Sequence, residues 1–226
     1  MKSFVIYVSG HEQSEQYMKT CIASCEGSGF DAEPFEGTTP DTLDKWSELM
    51  YPDLVNARIT GMKQESDRLY KTKKACFTNH VRLWNKCIEL NEPIAVLEQD
   101  VYCIGSWNNQ SFDDVLLLNV VSAFKQKVFA RVPNKPDYYG KLGLNEYKDT
   151  FLVYNKDNLF KGGFMMPGTG AYAVTPTGAK KLLDTLASNG WEQSDYFINT
   201  SHVKIEYVVP EYFTFKLPNL NMSHGY

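Results

Sequence analysis

Two carboxylates, Glu98 and Asp100, directly follow the apolar run at residues 94–97. Such a run is typical of a strand buried on both faces of a parallel sheet. Open α/β sheets usually hold their ligands at the carboxyl ends of strands. Carboxylates at i and i+2 can together bind Mn²⁺ or Mg²⁺, whose remaining positions suit pyrophosphate oxygens. Turns after strands are often acidic for solvation alone, so the pair predicts a metal site only together with further evidence.

That evidence begins with residues 93–101, Pro-Ile-Ala-Val-Leu-Glu-Gln-Asp-Val, in which Glu98 and Asp100 are the outer acidic positions. This segment resembles the Leu-Glu-Asp-Asp-Val segment of glycosyltransferase family 25, which includes lipooligosaccharide and collagen galactosyltransferases. Four further segments follow in the family's order, and together they cover most of the chain. They are residues 75–84 (Gly-Cys-x-x-Ser-His-x-x-x-Trp), 112–118 (Trp-Asp-x-x-x-Leu), 168–183 (Gly-Thr-x-Ala-Tyr with Gly-Ala-x-x-Leu) and 194–197 (Val-Asp-x-x-Leu).

The resemblance implies a single α/β domain over residues 1–226, with a GT-A-like, mostly parallel central sheet flanked by helices. It implies metal-assisted transfer of a sugar from a nucleotide-diphospho-sugar, with UDP as the expected nucleotide, to an acceptor hydroxyl with inversion. Asp100 is the better metal ligand, and Glu98 either shares the ion or contacts the donor's ribose or sugar hydroxyls. Three departures, Asn79 for Ser, Gln99 for Asp and Gly170 for His, leave an alternative: a catalytically degenerate nucleotide- or glycan-binding module of the same fold.

Inverting transfer needs a base that takes the proton of the acceptor hydroxyl, and a carboxylate is the usual solution in sugar chemistry. Asp195 is the candidate catalytic base. The alternative is a helix N-cap, because Ser194 and Asp195 precede an apolar segment that could begin a helix. His80 could orient the donor phosphates, or it could be a satisfied structural residue at the edge of an amphipathic helix.

Other donor-binding candidates lie in turns. Ser9 and Gly10 follow the first predicted strand, where the base and ribose commonly sit in the resembled family. Gly168 and Thr169 belong to its Gly-Thr motif, and Gly168 could let backbone amides approach a phosphate or sugar, although glycines in turns mostly serve a positive φ. Weaker candidates are Gly162 and Gly163 for the same role, His202 and His224 for the metal, and Arg131, Lys135, Lys141 and Lys161 for the diphosphate charge.

Composition limits the partners and the location. A net charge of -4 gives no general attraction to nucleic acid or anionic lipid. A glycan, a glycolipid or a hydroxylated side chain is therefore the expected acceptor. A hydroxymethylated DNA base also offers a hydroxyl, but the charge does not support it. The apolar run at residues 4–8 is too short for a signal-peptide core, and no stretch predicts a membrane span, so a cytoplasmic location is expected. The five cysteines are odd in number and lack the paired spacing of a zinc site or a dense disulfide framework, which predicts free, mostly buried thiols.

The pattern of apolar residues predicts the elements that position these groups. We expect a β-α-β opening, a long amphipathic helix before the acidic strand, a second buried strand, and a strand followed by a helix. Residues 125–149 show no sustained period and predict an active-site loop or lid. Strands are predicted at residues 3–8, 30–35, 94–97, 115–118, 171–174, 203–209 and 212–217, and helices at residues 12–26, 72–90 and 177–186, with a short helix from about residue 39 and a loop up to residue 68.

Overall fold

The computed structural model describes residues 1–50, 67–119, 142–146, 166 and 168–215. In this part of the chain, strands alternate with helices in the first half and again near the end. The strands are β1 (Lys2–Tyr7), β2 (Asp31–Glu36), β3 (Ile94–Glu98), β4 (Val101–Cys103), β5 (Val115–Leu117), β6 (Gly143–Glu146), β7 (Ala171–Val174), β8 (Ile205–Val209) and β9 (Phe213–Phe215). The helices are α1 (Glu12–Ser24), α2 (Asp67–Leu90), α3 (Pro176–Asn189) and α4 (Ser194–Phe197), and Leu43–Met50 forms a 3₁₀ helix.

Seven strands form one sheet in the order β2-β1-β3-β7-β5-β8-β6, and β4 pairs with β9 in a separate two-stranded sheet. The pairs β1·β2, β1·β3 and β5·β8 are parallel, whereas β7 and β6 run against their neighbours. Strands β1, β2, β3, β5 and β8 therefore point the same way. The prediction of an α/β fold with a mostly parallel central sheet is confirmed. The single domain over all 226 residues extends beyond the described part and stays a prediction.

Side chains on the two faces of the sheet belong to two separate hydrophobic cores. Val96 and Tyr172 face α2 and α3, where large aromatic side chains fill the space. Leu97 and Ala173 face α1 and the small β4·β9 sheet. Because successive strand residues point to opposite faces, the residue after Leu97 lies on the α2 face, and the one after it on the α1 face.

Helix α3 shows how local sequence sets the element bounds. The Thr175 side chain caps the helix by accepting a hydrogen bond from the Gly178 amide at 3.0 Å, and Pro176 occupies the first turn. Gly190 ends the helix with a φ of 75°, which favours glycine. A Cβ at Gly178 would lie 2.3 Å from the Asp114 carbonyl oxygen. The glycine is therefore needed for the close approach of this helix to the chain before β5.

Some element predictions need correction. The short helix after β2 is a 3₁₀ helix that begins at Leu43, and sequence reasoning missed β4 entirely. It also missed β6, which lies inside the predicted lid and pairs with β8 at the sheet edge. The rest of residues 125–149 lies outside the described part. Among the described residues, no helix is long and apolar enough to cross a membrane; the cytoplasmic location stays a prediction.

Candidate active site

The acidic pair lies at the carboxyl edge of the sheet, where three neighbouring strands meet. The Glu98 amide at the end of β3 donates to the Gly170 carbonyl oxygen at 2.8 Å, just before β7 begins. The Leu118 amide, just after β5, donates to the Ala171 carbonyl oxygen at 3.0 Å. β7 runs antiparallel to both neighbours, so its first residues meet their last ones. Residues 168–170 are thereby brought next to Glu98, although they lie seventy positions away in the chain.

A line of hydroxyl groups connects Glu98 to α4. Thr169 Oγ1 donates to Glu98 Oε1 at 2.9 Å, and it lies 3.2 Å from Ser194 Oγ. Thr169 is 7% exposed, so this contact is shielded from most solvent. Asp195 follows in the first turn of α4 and is partly buried. Two of the predicted site residues, Glu98 and Thr169, are thus in direct contact, and the segment carrying Asp195 adjoins them.

Asp100 is held in an environment that disfavours its charge. Its Oδ1 atom is buried and accepts no hydrogen bond from any described residue. Burial raises its pKa from 3.8 to about 6, opposed by a hydrogen bond from its own backbone amide. A carboxylate oxygen that is removed from water and left without a donor is costly for folding alone. Such an oxygen is suited to a ligand that brings positive charge.

Ser9 and Gly10 lie at the same edge, in the turn that follows β1. Both are exposed, and Gly10 has a φ of 78°. The turn is well ordered by side chains of α1, because the Gly10 amide donates to Glu15 Oε1 at 2.9 Å and His11 Nδ1 caps the helix. Since β1 is paired in parallel with β3 up to Glu98, the turn continues past the acidic pair on the neighbouring strand.

His80 is placed in the core by its contacts. It is 2% exposed, and its Nδ1 lies 2.9 Å from the Tyr172 hydroxyl, which also accepts a hydrogen bond from Trp84 Nε1 at 3.0 Å. Burial lowers the pKa of His80 to about 3, so the ring is neutral at physiological pH. This geometry favours the structural role over phosphate binding.

Cys76 is a neighbour of the site that sequence reasoning did not single out. It lies on α2, and its thiol pKa is raised to about 12 by desolvation and by the negative charge of Glu98, although the residue keeps solvent-accessible area. The thiol therefore lies close enough to Glu98 for the two groups to interact electrostatically. The sequence signal that could have found it is its position one turn before His80, on the face that also carries buried residues.

Comparisons with known proteins show the family of the chain. A family model described as glycosyltransferase family 25 (LPS biosynthesis protein) matches residues 1–198, which include Glu98, Asp100 and Asp195. The chain belongs to glycosyltransferase family 25. A solved structure, mouse xyloside xylosyltransferase 1 in its apo form, is similar at 8% identity with a TM-score of 0.37, covering 88% of this chain and 81% of that one. A search of curated proteins found no match. Family membership supports glycosyl transfer as the general activity.

The departure from the family at Gln99 has a structural reason. Its side chain is 8% exposed and lies on the α1 face of the sheet, opposite Glu98. There Gln99 Oε1 accepts a hydrogen bond from Ser14 Oγ, which in turn accepts one from the Val8 amide at 2.7 Å. The amide links the end of β1, the start of α1 and the turn after β3. It belongs to the packing behind the site.

The other two departures from the family are also accounted for by packing. Asn79 is buried, and its Oδ1 accepts a hydrogen bond from the Thr38 amide at 2.6 Å in the loop after β2. At Gly170, a Cβ would lie 2.8 Å from the Phe215 ring and 3.1 Å from Asn119 Nδ2. A side chain at this position would require the Phe215 ring to move.

Some of the remaining predicted site residues lie at the carboxyl edge of the sheet, and others do not. The helix that the alternative interpretation of Ser194 and Asp195 predicted is present as α4, but Gln193 occupies its N-cap and Asp195 lies in its first turn. His202 lies at the opposite edge of the sheet, beside a cavity of about 310 Å³ lined by Asp114 and Lys204 among others, so it cannot complete a shell with Asp100. Gly168 directly precedes Thr169 at the site. Outside the described residues lie Arg131, Lys135, Lys141, Lys161, Gly162, Gly163 and His224.

Proposed function

We propose that this chain transfers a sugar from a nucleotide-diphospho-sugar, with UDP as the nucleotide, to an acceptor hydroxyl with inversion at the anomeric carbon. Glu98 and Asp100 would hold Mn²⁺ or Mg²⁺ together with the donor's diphosphate. The observation that carries the proposal is the buried Oδ1 of Asp100, which lacks a hydrogen bond within the described residues, beside Glu98 at the carboxyl edge.

The residues present fit a hard divalent cation. Both groups are carboxylates, the ligand type that Mg²⁺ and Mn²⁺ prefer. No set of three or more His, Cys, Asp or Glu side chains suited to a metal occurs among the described residues. A site with two protein carboxylates is the kind that Mg²⁺ uses when substrate phosphates and water complete its shell. When bound, the cation would neutralise the charge that develops on the departing nucleotide diphosphate.

Asp195 is proposed as the base that removes the acceptor proton. The Thr169–Ser194 contact supports its placement beside Glu98, because it fixes the start of α4 at this edge. A general base of this type contributes roughly 100- to 10,000-fold to the rate. Ser9, Gly10, Gly168 and Thr169 would line the donor side of the same edge.

The acceptor proposed first is a saccharide of a surface glycolipid. The printed description of the matching family, an LPS biosynthesis protein, supports this choice. A hydroxylated side chain is the next candidate, since the family resemblance extends to collagen galactosyltransferases. The net charge of -4 gives no support to a nucleic-acid acceptor.

The test combines donor binding with transfer. Thermal stabilisation and sugar release are measured for the wild type across a panel of nucleotide sugars, with and without Mn²⁺. Metal-dependent stabilisation and sugar release by one UDP-sugar are expected. Nucleotide binding without any sugar release would favour the catalytically degenerate binding module, and no response to any nucleotide would overturn both.

Asp195→Asn separates the base from the donor site. Donor binding should stay close to the wild-type value while transfer falls by at least about 100-fold. Asp184→Asn is the matched control, since Asp184 is an exposed acid on α3 whose partner is Lys180, one turn away. Equal loss of donor binding and transfer in Asp195→Asn would assign the residue to structure instead.

A further inference from the structure

The hydrogen bonds between α4 and the segment just before β7 have a definite direction from donor to acceptor. Thr169 Oγ1 donates its single hydrogen to Glu98 Oε1 at 2.9 Å. A hydroxyl has one hydrogen, so Thr169 can only accept in its 3.2 Å contact with Ser194 Oγ. Ser194 is therefore the donor there. The resulting order, Ser194 to Thr169 to Glu98, ends on a negatively charged oxygen.

The backbone around this chain of hydrogen bonds leaves little freedom. The Glu98 amide donates to the Gly170 carbonyl oxygen at 2.8 Å, and Gly170 packs closely against the Phe215 ring, 2.8 Å from where a Cβ would lie. Thr169 is consequently held in place from its C-terminal side. Its hydroxyl can act on Glu98 from a fixed position, which is what restricts a carboxylate rotamer most effectively.

We propose that Thr169 is a positioning residue that sets the Glu98 carboxylate for its cation, and that Ser194 couples the segment bearing Asp195 to the same carboxylate. The inference rests on the proposed function. A hydrogen bond to an ionised acceptor is stronger than a neutral one and fixes the orientation of the acceptor. The hydrogen bond from Ser194 to Thr169 would keep the segment of the proposed base, Asp195, at a constant distance from the proposed metal ligand, Glu98.

Thr169→Val tests the role of the hydroxyl, because valine keeps the branched shape and removes the donor. Mn²⁺ affinity is measured directly by calorimetry on the full chain with saturating UDP and no acceptor, because the diphosphate completes the proposed shell of the cation. We expect Thr169→Val to weaken Mn²⁺ binding by about 10-fold or more, and Thr169→Ser to stay within about threefold of the wild type because it keeps the hydroxyl. Ser194→Ala should give a smaller loss in the same direction.

Thr72→Val is the matched control. Thr72 is 5% exposed, and its Oγ1 donates to the Arg68 carbonyl oxygen at 2.9 Å, within α2. It should lower thermal stability without changing Mn²⁺ affinity. If Thr169→Val does not fold, Thr169→Ser and Ser194→Ala carry the comparison. Ser194→Ala must then weaken Mn²⁺ binding while Thr169→Ser stays within about threefold of the wild type, or the inference fails.

The outcomes for the two proposals can be told apart. Wild-type protein that binds neither Mn²⁺ nor Mg²⁺ in the presence of UDP would overturn the proposed metal site, and the positioning role with it. Wild-type Mn²⁺ binding with unchanged affinity in Thr169→Val would overturn the positioning role alone. With donor and acceptor present, the positioning role also predicts a loss in kcat that exceeds any change in the donor KM.

Discussion

Replacing Asp100 with asparagine removes a buried negative charge, and we expect the variant to be more stable than the wild type when no divalent cation is present. Burial raises the pKa of Asp100 from 3.8 to about 6, with its own backbone hydrogen bond acting in the opposite direction. One pKa unit corresponds to about 1.4 kcal/mol. The rise therefore corresponds to at most about 3 kcal/mol of folding free energy that ionisation of this carboxyl removes.

The sign follows from proton binding. Between the unfolded pKa near 3.8 and the folded pKa near 6, the folded state binds more protons than the unfolded state. The contribution of Asp100 to the free energy of unfolding is therefore greatest below the unfolded pKa and declines as pH rises through the folded pKa. Asp100→Asn avoids this decline. Its advantage over the wild type should be small near about pH 4 and approach about 3 kcal/mol above about pH 7.

Urea unfolding in the presence of a chelator measures this difference at several pH values. When Mn²⁺ is added in place of the chelator, the wild type should become the more stable of the two proteins. Mn²⁺ stabilises the wild type in proportion to its binding and leaves the asparagine variant unchanged. Asp184→Asn, at an exposed position of α3, serves as the control. It should change neither the stability without metal nor the stabilisation by Mn²⁺ by more than about 0.5 kcal/mol. An Asp100→Asn variant that is less stable than the wild type at high pH would refute the reasoning, since the charge would then be compensated by structural partners.

Three further predictions follow from packing and burial. Gly178→Ala should destabilise the protein by about 1–3 kcal/mol in urea unfolding, because its Cβ would lie 2.3 Å from the Asp114 carbonyl oxygen; Ser188→Ala on the exposed side of the same helix should have little effect. Gln99→Asp should lower stability without tightening Mn²⁺ binding in calorimetry, because the side chain lies on the α1 face. The pKa of His80 is lowered to about 3 by burial, so its ring carbon resonances in NMR should not titrate between about pH 8 and pH 5.

Each of these has an outcome that contradicts it. A Gly178→Ala variant as stable as the wild type would mean that α3 shifts without cost. Tighter Mn²⁺ binding in Gln99→Asp would place residue 99 in the metal site and would restore the significance of its departure from the family. A His80 titration near the ordinary value of 6.5 would show that the ring is open to solvent, and phosphate binding would again be the better interpretation.

Much of the fold could be predicted from local patterns. The apolar run before Glu98 and the amphipathic spacing in residues 72–90 correspond to β3 and α2, because burial on both faces or on one face imposes those periods. β4 and β6 were missed for a physical reason. Each has only a few residues, and each is stabilised by pairing with a distant strand, β9 or β8, which a local pattern does not report.

The sequence by itself determined the family and the acidic positions, because residue types and their order are enough to show which carboxylates follow a buried strand. The tertiary structure decided what each of them touches. It placed Thr169 against Glu98 through an antiparallel strand pairing, buried His80 beside Tyr172, and turned Gln99 toward α1. Contacts between residues far apart in the chain depend on strand order and register, and these arise only when the whole sheet assembles.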